Sequence, residues 1–106
     1  TAHAEVTAIR DACTRLGDFS LAGCEIFSSC EPCPMCLSAI YWARIEKIYY
    51  ANTRQDAANI DFDDDFLYRQ VALPPDARSV PGINILRKEA LPVFEAWAAQ
   101  EDKIPY

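Results

Sequence analysis

Three of the five cysteines crowd into seven residues: Cys30, Cys33 and Cys36. The last two form Cys33-Pro34-Met35-Cys36, a Cys-x-x-Cys. The sole histidine, His3, stands 30 residues before Cys33, with Glu5 two positions after it. Thiolates and neutral imidazole are the ligands of tetrahedral zinc. A fold that uses this set must bring the first residues of the chain against the Cys-x-x-Cys. An odd number of cysteines without a secretory leader argues against a disulfide framework. Metal binding is therefore the reading of the cluster.

Taken alone, the Cys-x-x-Cys is also compatible with a redox pair or half of a structural zinc site. A structural site needs four protein ligands, usually from a second, separate Cys-x-x-Cys or a His-x-His, and the sequence has neither: its other Cys-x-x-Cys, from Cys30, shares Cys33. Cys30 is the competitor for the fourth place. It precedes Glu31-Pro32, on the strand side of the turn, and is expected to point elsewhere. His3, Cys33 and Cys36 then leave one position on a single Zn2+ for water or hydroxide, the mark of a catalytic site. Two thiolates and a neutral imidazole cancel the charge of Zn2+, so the metal acidifies water less than a three-histidine site does. A nearby base, Glu5, is needed to take the proton.

The surrounding chain alternates helical and extended segments. Val6, Ile9, Cys13 and Leu16 recur at helical spacing, predicting a helix over residues 4–16 that stops at Gly17. Residues 24–28 read as a buried strand. Pro34 fits the first turn of a second helix, and residues 35–43 are apolar nearly all round, which marks that helix as buried. Lys47-Ile48-Tyr49-Tyr50-Ala51 is rich in strand formers. Residues 52–60 read as loop with a helical turn, and residues 62–73 as a short helix through Asp65, Phe66 and Arg69. Pro74-Pro75-Asp76 marks a connection. A third strand is expected over residues 82–87, and a last helix opening at Pro92 with Val93, Phe94, Trp97 and Ala98 on its apolar face. The alternation predicts an α/β fold with a mostly parallel sheet and one domain over residues 1–106, a size that suits a single core.

The net charge is −6, with ten basic residues scattered along the chain. Such a chain repels a nucleic-acid backbone unless a local basic patch offsets it, which favours a small-molecule substrate. No apolar run is long enough to span a bilayer, and residues 1–5 carry no signal-peptide or lipidation pattern. The expectation is a cytoplasmic protein with no membrane partner.

His3-Ala4-Glu5 with Pro32-Cys33-Pro34-Met35-Cys36 resembles the cytidine deaminase-like zinc hydrolases, whose nucleobase deaminases carry this H-x-E and P-C-x-x-C pairing. The likeness to the bacterial guanine deaminases runs over essentially the whole chain. It includes Thr1–Arg10, Ser29–Cys36, the segment Ala39-Ile40-Tyr41-Trp42-Ala43-Arg44, the run Phe62-Asp63-Asp64-Asp65-Phe66 and the terminal Pro105-Tyr106. The resemblance implies a three-layer α/β/α sandwich and hydrolysis of guanine to xanthine and ammonia in purine catabolism. It assigns Asp64 to the active site beside Glu5. The backbone at Ala4, Trp42 and Tyr106 become substrate contacts. It further implies a homodimer that exchanges a C-terminal segment. Members of that family carry a helix and early strands before the His-x-Glu helix, so this chain is expected to lack its N-terminal helix and first strands.

Each of these residues also has a plainer reading. The three consecutive aspartates can form a solvated acidic turn, Trp42 can be a core or interface residue, and Tyr106 a frayed end. Cys13 and Cys24 read as small buried hydrophobes. Two other functions compete. A tRNA adenosine deaminase shares the zinc motifs but favours a basic surface. A zinc-stabilised binding module without catalysis needs a fourth protein ligand.

Overall fold

The computed structural model describes residues 1–105. The chain divides into two compact units, Thr1–Leu73 and the remainder from Pro74 onward.

The first unit begins with α1 (Ala4–Leu16). The helix ends at Gly17, whose left-handed φ of 69° lets its N–H turn back to the Cys13 carbonyl, as the helix-stop reading predicts. Strand β1 (Glu25–Cys30) follows, then α2 (Pro34–Trp42) and β2 (Lys47–Asn52). The strands pair in parallel, with Ile26 opposite Ile48 and Phe27 opposite Tyr49. Side chains alternate along β1, and Ile26, Ser28 and Cys30 share its more covered face. Ile26 joins Ile9 of α1, Leu21, and Ile40 and Ala43 at the end of α2 in one buried cluster. Cys13 and Cys24 pack partly buried against it, as small hydrophobes do. The opposite face carries Phe27 and Tyr49, whose rings stack at 4.7 Å in an exposed position. The α/β class and the parallel sheet expected from the alternation are both present.

Beyond β2 lie α3 (Arg54–Ala58) and α4 (Asp64–Ala72). Thr53 and Asp56 cap α3 reciprocally, each side chain meeting the other's backbone N–H. Asp63 caps α4 by accepting from the Phe66 N–H at 3.0 Å.

The second unit departs from the sequence reading twice. Residues 81–86 are irregular rather than a third strand, and the described residues contain only the two-stranded sheet. Ile83 and Ile85 alternate as strand residues do, but a strand needs a partner edge to satisfy its backbone groups, and this stretch has none. The final helix, α5 (Arg87–Ala98), starts five residues before Pro92, which lies inside it. A proline within a helix costs the bond to the carbonyl four residues earlier; here it does not set the helix start. Its apolar residues Val93, Phe94 and Trp97 are exposed.

Candidate metal and catalytic site

Two helix starts build the site. His3 is the N-cap residue of α1 and Cys33 that of α2. Their backbone is extended, and each carbonyl accepts the first helical N–H, from Thr7 at 3.0 Å and Leu37 at 2.8 Å. Pro34 occupies the first turn of α2, where its missing N–H breaks no bond. Cys36 lies one turn in, on the same side as Cys33. The packing of α1 against α2 brings these starts together. The result is a cluster of one imidazole nitrogen and two sulfurs, all within 4.8 Å of one another.

The spacing fits zinc. His3 Nδ1 lies 3.6 Å from Cys33 Sγ and 3.5 Å from Cys36 Sγ. A tetrahedral zinc with bonds of about 2.3 Å to sulfur and 2.0 Å to nitrogen sets those atoms about 3.5 Å apart. Both cysteines are buried, whereas His3 is exposed. Burial, with Cys33 and Glu5 alongside, pushes the Cys36 thiol far up from its ordinary value. A divalent cation reverses that, because thiolates and not thiols are the ligands. Cys30 lines the cavity that opens here but is not part of the cluster: its sulfur donates to the Thr53 carbonyl at 3.7 Å.

Glu5 sits in the first turn of α1 with both oxygens engaged. Oε1 accepts from the Ser28 hydroxyl at 3.0 Å and Oε2 from Cys36 Sγ at 3.4 Å. Burial alone raises its pKa, but a backbone hydrogen bond, these two donors and the His3 charge outweigh it and hold the carboxyl below its usual range. The group is an ionised proton acceptor beside the sulfur of a metal ligand. Ser28 is a site residue that the motif reading missed. Its signal was available: a hydroxyl alternating with Ile26 on the buried face of β1 needs a polar partner there.

A cavity of about 540 Å³ opens at this cluster. Glu5, Glu31, Asp61, Asp63 and Asp64 line its acidic side, and Ala57, Phe62 and Leu67 offer apolar surface. Neither lysine nor arginine is among its lining residues. The three consecutive aspartates divide their work. Asp63 caps α4, and Asp65 pairs with Arg69 one turn on. Asp64, half-buried, has neither task and lines the cavity. Ala4 is exposed at the start of α1, between two residues of the cavity wall.

Trp42 stands elsewhere. It ends α2, about 12 Å along the axis from Pro34, is 62% exposed, and is not among the residues around the cavity. Within this chain, the helix that starts at Cys33 carries its far end, and Trp42 with it, away from this cavity. Tyr106 lies outside the described residues.

Residues 1–52 match the family described as the cytidine and deoxycytidylate deaminase zinc-binding region. The guanine deaminase of Bacillus subtilis (strain 168) is 48% identical over all 106 residues, which span 68% of that protein. The X-ray structure of guanine deaminase from Bacillus subtilis superimposes with a TM-score of 0.92, over 99% of this chain and 67% of that one. The chain belongs to the guanine deaminase family. The tRNA-specific adenosine deaminase of Agrobacterium fabrum (strain C58 / ATCC 33970) is 50% identical, but over only 50 residues, 47% of this chain and 33% of its own. Membership of the guanine deaminases thus rests on likeness that continues past the metal motifs, through α4 and into the second unit.

Proposed function

We propose that this chain hydrolyses guanine to xanthine and ammonia, with one Zn2+ held by His3 Nδ1, Cys33 Sγ and Cys36 Sγ. The observation that carries this reading is the meeting of a three-ligand, thiolate-rich metal set with an ionised carboxylate in one cavity, in a chain alike throughout to a guanine deaminase. Bound there, zinc supplies a Lewis acid that lowers the pKa of water. Glu5 takes the proton from the attacking water and delivers it to the ring nitrogen beside C2. The water oxygen bonds to C2, and its second proton passes by way of Glu5 to the exocyclic amine. The bond between C2 and that amine breaks, and ammonia leaves as the C2 hydroxyl becomes the carbonyl of xanthine. Asp64 accepts a hydrogen bond from that amine. The backbone at Ala4 completes the grip on the base. Ser28 holds one oxygen of Glu5, which limits how far its carboxylate turns between accepting and releasing the proton.

The acidic cavity favours an uncharged base over a phosphate-bearing polymer. This argues against the tRNA adenosine reading, as does the short span of likeness to the tRNA deaminases. The engagement of Cys30 with the Thr53 carbonyl argues against a four-ligand structural zinc.

For the assembly, we propose a homodimer that exchanges a C-terminal segment. Support comes from Val93, Phe94 and Trp97 on α5, which leave a large apolar surface exposed. Five unpaired thiols suit the reducing cytoplasm, and no helix among the described residues is long and apolar enough to cross a membrane.

The test is an absorbance assay on zinc-loaded protein. Guanine is converted to xanthine, while cytidine, adenine and a tRNA anticodon stem-loop are not. Conversion of another aminated ring with guanine untouched sinks the substrate assignment and leaves the metal chemistry standing.

A further inference from the structure

Pro32 is buried directly before the metal ligand Cys33. Lying just outside α2, its carbonyl has no helical partner, and a buried carbonyl needs one. Tyr68 of α4 provides it, donating its hydroxyl at 2.7 Å across 36 residues of sequence. The guanidinium of Arg54 lies over the Tyr68 ring, 4.8 Å from its centre. The Arg54 backbone N–H also donates to the Glu31 carboxylate at 2.9 Å, and the Glu31 N–H to the Asn52 carbonyl at 2.8 Å. The ligand loop is therefore clasped from α3 at Glu31 and from α4 at Pro32.

Tyr68 stands four residues after Asp64, one helical turn away on the same face. Helix α4 has no buried side chain of its own to fix its place. The hydroxyl bond to Pro32 consequently constrains where the first turn of α4 sits. We infer that Tyr68 is a positioning residue: its bond to the Pro32 carbonyl sets the distance between Asp64 and the metal ligands, and hence the fit of the amine that leaves. This rests on the role given to Asp64 above. Tyr68 is absent from the cavity wall.

A double-mutant cycle on the zinc-loaded full chain tests it, using Tyr68→Phe, Asp64→Asn and both together. The readouts are kcat and KM for guanine, zinc content and the thermal midpoint. Losing one hydrogen bond predicts a fall in kcat of about five- to tenfold for Tyr68→Phe, with zinc content retained. In the Asp64→Asn background the same change has little further effect. Equal loss in both backgrounds overturns the inference while sparing Asp64. Loss of zinc on Tyr68→Phe also overturns it, since the hydroxyl then supports the metal loop alone, and so does unaltered kcat. Full activity of Asp64→Asn removes the role of Asp64, and the inference falls with it.

Discussion

Glu5 shows how little a residue's type decides about its chemistry. An exposed glutamate in the first turn of a helix stabilises the helix dipole. This one turns inward, with Ser28 on one oxygen and Cys36 on the other. Glu5→Gln keeps the size and the zinc but removes the proton acceptor. Turnover is expected to fall by at least about a hundredfold, with zinc content by metal analysis unaltered; near-full activity sinks the assignment. Ser28→Ala frees one oxygen of the carboxylate without removing it. Its kcat is expected to drop about tenfold, the scale of one hydrogen bond to a charged group, while Ser28→Thr keeps most of the activity. Parental kcat in Ser28→Ala shows that the hydroxyl does not orient the base.

At the level of elements, the site depends on α1 and α2 starting side by side. Ile40 locks that arrangement, being 2% exposed between α1 and β1. Ile40→Ala is expected to cost about 2–5 kcal/mol of stability, read as a lower denaturant midpoint. Helix α3 depends on its cap. The Thr53 hydroxyl and then its backbone N–H hold the Asp56 carboxyl below its usual range. A depressed folded-state pKa adds stability that is complete above the unfolded value of about 4 and is lost as pH falls through the folded one. The gap in unfolding midpoint between the parent chain and Asp56→Ala should therefore be open at pH 6 and narrow at pH 3. A gap as wide at pH 3 shows that the carboxylate charge is not what stabilises the cap.

For the whole molecule, the apolar core and the metal cluster are separate. Ile9, Leu21, Ile26, Ile40 and Ala43 bury one another without Cys33 or Cys36 among them. Chelation is expected to abolish ammonia release while the far-ultraviolet circular dichroism persists, and added zinc to restore turnover. Collapse of the spectrum on chelation marks a structural zinc instead. The exchanged dimer is checked by mass in solution. A mass of two chains that falls to one on Phe94→Glu supports it, and a single-chain mass for the parent removes it.

The sequence by itself singled out the candidate metal set, His3, Cys33 and Cys36, whose donor atoms the fold brings together. Zinc chemistry admits few donor types, and one histidine with three clustered cysteines left little choice. It also determined α1 to the residue and both strands of the sheet, because periodicity, Gly17 and Pro34 are local signals. Only the tertiary structure decided which of the three aspartates lines the cavity without another task, since Asp63 is claimed by a cap and Asp65 by an ion pair that depend on where α4 begins. It alone carried Trp42 away from the site, left residues 81–86 without a strand partner, and brought Ser28 to Glu5 and Tyr68 to Pro32. Those contacts span 23 and 36 residues. The sequence carries the donor and the acceptor, but packing decides whether they meet.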